Sequence, residues 1–146
     1  MAKELLWDIE ADPTVDVVVA TPDGAPQRLT IHTGRVEFYQ SNAGMWRYDG
    51  GGHRAEESLW LPDGLGYLST PTVVSASVAL AQHMAGSDVQ MQLGLAGWSA
   101  RAEPDPRDTG LRFVQLWLDV YLATRPALFS YVVHVMAPVA DVEPER

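Results

Sequence analysis

Apolar and polar residues alternate with a period of two along most of this chain, and that period predicts β-strands. Thr14-Val15-Asp16-Val17-Val18-Val19-Ala20 is dense in β-branched residues, which pack well on a pleated surface. Thr21-Pro22-Asp23-Gly24 reads as a turn, because proline presets φ and glycine accepts a positive φ. Arg28 to His32 alternates, His32-Thr33-Gly34 reads as a second turn, and Arg35 to Gln40 alternates again. Ser41-Asn42-Ala43-Gly44 turns into Met45-Trp46-Arg47-Tyr48. Short strands separated by turn residues at this rhythm predict an antiparallel meander.

Asp49 to Glu57 is the most loop-like internal stretch, and its three consecutive glycines (Gly50, Gly51 and Gly52) are costly to order. Ser58-Leu59-Trp60-Leu61 and Gly66-Tyr67-Leu68 flank Pro62-Asp63-Gly64, which predicts a hairpin. The segment 71–85 fits two periods. Thr70-Pro71 suits a helix start, Val74, Val78, Ala81 and Ala85 keep helical spacing, and Gly86 suits a helix end. Val74, Ala76, Val78 and Leu80 also alternate with Ser75, Ser77, Ala79 and Ala81, as in a strand that turns back through Ala85-Gly86-Ser87-Asp88. The helix-forming run from Ala79 to Ala85 favours a helix.

Val89, Met91, Leu93 and Leu95 alternate with Gln90, Gln92 and Gly94, which predicts a strand. Arg101 to Gly110 reads as a polar, proline-rich loop. Leu111 to Ala123 is a long strand, with Leu128 to Ala137 as its expected antiparallel partner across Thr124-Arg125-Pro126-Ala127. The expected fold is mainly β: one domain over 1–146, an antiparallel β-sandwich or barrel-like sheet with one helix packed on it at about 71–85. Residues 1–13 read as an arm or helical turn, and 138–146 as a polar tail.

The 111–123 strand is the most informative segment. Val114, Leu116, Leu118, Val120 and Leu122 fall on one wholly aliphatic face, the expected core. Phe113, Gln115, Trp117, Asp119 and Tyr121 fall on the other. That aromatic-polar face can pack under the expected helix or a second sheet, meet another protein, or carry a small ligand. Phe113, Trp117 and Tyr121 are therefore the candidate interface residues, and five tryptophans in the chain support a binding surface.

Charge narrows the partners. The chain has 19 acidic and 10 basic residues, a net charge of −9, and Lys3 is its only lysine. Scattered arginines do not form the clustered positive surface that a phosphate backbone or an anionic membrane requires, so neither nucleic acid nor membrane is expected as a partner. There is no cysteine, hence no disulfide, thiolate nucleophile or Cys-based zinc site. The opening residues lack the apolar core of a signal peptide, and no run reaches a membrane span, which suits a cytoplasmic protein.

Candidate chemistry is sparse. His32, His53, His83 and His134 have no close metal-binding spacing, and His134, among valines and Met136, reads as a hydrogen-bonded core histidine. Gly97-Trp98-Ser99-Ala100 lacks the second glycine of a nucleophile elbow. The glycine run at 50–52 has no following Lys-Ser/Thr to hold phosphate, although Gly51 and His53 are the loop residues best placed to rim a site. Asp105 and Asp108 read as turn and capping residues, and Glu56-Glu57 has no identifiable partner. No cofactor or metal is expected. The expected function is non-enzymatic: a structural or interaction module acting by self-assembly or by docking to a larger complex, for example a capsid decoration or tail-associated component of a virion. A small-ligand or carbohydrate-binding β domain is the alternative, and an enzyme with a dispersed site the third reading.

Overall fold

The computed structural model describes residues 5–22, 24–40, 53–62, 65–83, 93–107, 109–122 and 127–144. Its strands are β1 (Leu5–Ala11), β2 (Val15–Val19), β3 (Gln27–Gln40), β4 (His53–Trp60), β5 (Leu65–Tyr67), β6 (Val73–His83), β7 (Leu93–Pro104), β8 (Arg112–Leu122), β9 (Ala127–Pro138) and β10 (Val142–Pro144). They form two antiparallel sheets. Sheet I runs β1-β3-β9-β6, with β2 also paired to β3; sheet II runs β10-β5-β8-β4, with β7 also paired to β8. The expected mainly-β, antiparallel sandwich is what the chain builds.

The packed helix is not. Residues 73–83 form β6, which pairs along its length with β9. The burial pattern explains the choice: Val74, Ala76 and Val78 turn inward, while Val73, Ser75, Ser77 and Ala79 face out. That period-two pattern fills the core from a strand and not from a helix. The strand carries one irregularity, a register shift between Leu80 and Gln82. Tertiary pairing overrides local propensity here.

Four connections also differ from the sequence pattern. His32-Thr33-Gly34 is not a turn; β3 runs straight through it, opposite Val133, Val132 and Tyr131 of β9. β4 and β5 do not pair with each other as the expected hairpin; both lie along β8, opposite Leu122–Gln115 and Arg112. Leu61 holds the join by donating its N–H to Val114 O at 3.0 Å. β8 and β9 are not partners but belong to different sheets. Arg101 to Pro104 extends β7, so the proline-rich loop starts at Asp105. Near the ends, residues 5–11 form β1 and residues 142–144 form β10, where the sequence reads an arm and a tail. His53 to Glu57 belongs to β4, and the rest of the predicted glycine loop, with the predicted 45–48 strand, lies outside the described residues.

The two inward faces make one core. Sheet I contributes Val36 from β3, Val78 from β6, and Phe129, Tyr131, Val133, Val135 and Ala137 from β9; sheet II contributes Leu59, Leu61, Tyr67, Val114, Leu116, Leu118 and Val142. Burying each large apolar side chain contributes about 1.5–3 kcal/mol. β1 and β2 are consecutive along one edge of β3, and Asp12 sits at their junction. Its N–H donates to Thr33 O at 2.9 Å, and its carboxylate accepts from Thr33 Oγ1 and Arg35 Nη2, each at 3.2 Å. Pro13, which has no N–H to place in a ladder, follows at the break. At the opposite side of the sandwich, Trp98 Nε1 of β7 donates to Ala76 O of β6 at 3.0 Å and ties the two sheets together.

Candidate functional site

With no helix covering either sheet among the described residues, both outer faces become candidate surfaces. The outer face of sheet II carries the residues singled out on β8. Register places Gln115 between Trp60 and Arg101, Trp117 between Ser58 and Ser99, and Asp119 between Glu56 and Gly97. Of the expected aliphatic face, Val114, Leu116 and Leu118 are buried, the last two fully.

Phe113 and Trp117 do not share one fate, and the Tyr121 side chain lies outside those described. Phe113 is buried, and the Arg107 guanidinium lies 5.4 Å from its ring centroid. Asp105 locks the 105–109 loop. Its carboxylate accepts from the Arg107 N–H at 2.9 Å, Arg107 Nε at 3.1 Å and Thr109 Oγ1 at 2.6 Å. Burial alone would raise the Asp105 carboxyl; the bonds from Thr109 and Arg107 outweigh it and hold it at about 2. The turn reading of Asp105 is thus matched by a turn that caps Phe113. Trp117 is half-buried and lies over Gly97, where an added Cβ would come 3.2 Å from its ring. A shallow depression of about 490 Å³ opens beside it, lined by Ser99, Ala100, Arg101 and Trp117. Tyr121 follows on β8 opposite Arg54 and Gly94, and His53 opens β4 opposite Leu122. Gly51 lies outside the described residues.

The outer face of sheet I holds what the sequence pattern does not single out. Successive registers align Val17 with Leu29, Leu29 with Met136, and Met136 with Val73, so one apolar row crosses all four strands of that end of the sheet. Val15 and Ile31 extend it on the next row. Val17 and Val73 are each 46% exposed and Val15 is 53% exposed. His134 stands on this face beside Ile31 and Ser75 and is exposed, which corrects its reading as a core histidine.

Among the described side chains, the buried histidine is His32. It points into the core with Thr30, and Tyr67 approaches from sheet II. His32 Nε2 is buried without a hydrogen-bond partner, and the Tyr67 hydroxyl is buried beside the Thr30 side chain. Thr30 Oγ1 donates to Asp16 Oδ1 at 2.8 Å. Burial pushes the Tyr67 hydroxyl up to about 12, and it lowers the His32 imidazole, with Asp16 opposing part of that shift. A histidine lowered on folding binds its proton more readily in the unfolded chain. Its share of stability is therefore present above the unfolded value of about 6.5 and is lost as pH falls below it. Unfolding midpoints between pH 8 and pH 5 should fall more steeply for the wild type than for His32→Asn. Parallel profiles would show that His32 is not buried neutral.

Among the described residues, no group of three or more His, Cys, Asp or Glu side chains is placed to hold a metal ion. Comparison with protein-family models, with characterised proteins and with solved structures gives no significant match. The assignment of function therefore rests on the surfaces themselves.

Proposed function

We propose that this protein is a non-enzymatic interaction module that works by protein–protein contact through its sheet surfaces, as a self-assembling unit or a component docked to a larger complex such as a virion. The observation that carries this reading is the apolar row Val17–Leu29–Met136–Val73 across the outer face of sheet I. Contiguous apolar surface on a folded domain marks contact sites, because covering it releases the water it orders. The aromatic face of sheet II is the weaker docking surface, since Phe113 is already covered by Arg107.

The depression beside Trp117 favours one second reading, a small-ligand site. An aromatic face flanked by Arg101 and Ser99 offers stacking and hydrogen bonding to a sugar or a small anion.

Met136→Lys and Trp117→Lys separate the two. Both side chains lie on outer faces, so both variants should fold. Light scattering during size-exclusion chromatography should show that Met136→Lys reduces self-association while Trp117→Lys leaves it intact. Loss only in Trp117→Lys would move the interface to sheet II. A monomeric wild type, stabilised by an oligosaccharide or small anion in a Trp117-dependent way, would replace this reading with the ligand-binding one.

A further inference from the structure

The strand edges of this sandwich are protected unequally. β1 carries the exposed charges Asp8 and Glu10, β4 carries exposed Glu56, and β6 and β7 are tied by the Trp98–Ala76 bond. Charges and covers of this kind stop an edge from pairing with another chain. β2 has neither. Its one charge, Asp16, is drawn back onto its own sheet, accepting from Thr30 Oγ1 at 2.8 Å and from Arg28 Nε at 3.3 Å. That leaves Val15, Val17 and Val18 exposed, Val18 at 61%, along a strand paired on one side only among the described residues. An edge with outward-pointing N–H and C=O groups accepts an extended segment, and β2 itself is such a segment.

We propose that β2 pairs antiparallel with β2 of a second copy, about a two-fold axis at Val17. This rests on the interaction-module reading and names its partner. The sequence Val15-Asp16-Val17-Val18-Val19 is self-complementary in that register. Val17 meets Val17, and Val15 meets Val19, so the valines of both copies share the outer face. The row Val17–Leu29–Met136–Val73 then continues into its counterpart in the second copy without a break. On the other face Asp16 meets Val18, whose neighbour on β3 is Arg28. Each Asp16 therefore approaches the guanidinium of the other copy as well as its own, and no like charges oppose each other across the axis. A slipped register that keeps the valines on one face gives up the Val17–Val17 match and shortens the ladder. Five residues per copy make a small interface, so pairing depends on concentration.

The test places like charges at the axis. Val17→Lys and Val17→Glu alter a half-exposed side chain and should leave the melting temperature near that of the wild type. Sedimentation equilibrium should show the wild type rising from 16.0 kDa towards twice that mass on concentration. Each variant alone should stay monomeric, and an equimolar mixture should recover the dimer. A wild type that dimerises while Val17→Lys dimerises equally overturns the β2 pairing and leaves the interaction-module reading standing. Two monomeric variants whose mixture stays monomeric overturn the register at Val17. A wild type monomeric at every concentration overturns self-pairing, and docking to a different protein is then tested by Met136→Lys in that complex.

Discussion

Gly34→Ala is expected to destabilise the protein by about 3 kcal/mol, the upper end of the usual cost of forcing an extra methyl group into a filled interior. Gly34 lies in the middle of β3, buried, with Ala11 opposite on β1 and Tyr131 opposite on β9. A Cβ there would overlap both the Glu10 carbonyl oxygen and the ring of Tyr131. Neither can give way easily, because one is backbone in a paired strand and the other is a ring that is only 2% exposed. The glycine is thus required by close approach in a strand, not by a turn. Shortening Tyr131 to leucine removes one of the two obstacles, so Gly34→Ala should cost less in a Tyr131→Leu background than alone. Residues in contact couple by about 0.5–3 kcal/mol in such double-mutant cycles. Urea unfolding of the four proteins measures this. A Gly34→Ala variant as stable as the wild type would show that β1, β3 and β9 do not meet in this register.

Neighbouring substitutions on β8 should have opposite outcomes. Leu116→Ala should cost about 3 kcal/mol, within the range for emptying a filled core position. Leu116 is fully buried between Leu59 of β4 and Ala100 of β7. Gln115→Ala, one residue away, should change stability by no more than about 0.5 kcal/mol. Gln115 lies on the outer face between Trp60 and Arg101. Thermal and urea unfolding of the pair reads the alternation directly. Equal losses at both positions would mean that something covers the outer face of sheet II as firmly as sheet I covers the inner one.

What was legible in the sequence follows from which interactions are local. The alternation of β8 fixes its faces residue by residue, and Val114, Leu116 and Leu118 are buried as that pattern requires. β2, most of β3 and β9 are legible for the same reason. Partnership between strands is not local. Nothing in the order of residues shows that β8 joins sheet II while β9 joins sheet I, or that β4 and β5 share one edge of β8. The 71–85 segment shows the limit clearly: its propensities support a helix, and only pairing with β9 selects the strand. Gly34 misleads in a similar way, because a glycine marking a turn and one making room for a tyrosine look alike in a one-dimensional pattern.

The candidate surface was legible only in part. Phe113 and Trp117 stand where alternation puts them, on the outer face of β8. The covering of Phe113 depends on Asp105, Arg107 and Thr109 folding as a unit, and those residues read only as turn formers. The apolar row on sheet I was hidden for a different reason. Val17, Leu29, Val73 and Met136 are scattered along the chain, each an ordinary strand residue, and become a surface only when four strands are brought into register.

Hydrogen exchange at low and high protein concentration tests the interaction-module account most directly, because it reports where contact occurs as well as whether it does. Amides of Val15 to Val19 should exchange more slowly as concentration rises, while those of Leu116 to Leu118, already inside the monomer, should not change. Exchange independent of concentration throughout β2, or slowing confined to β7 and β8, would contradict contact through the edge and outer face of sheet I.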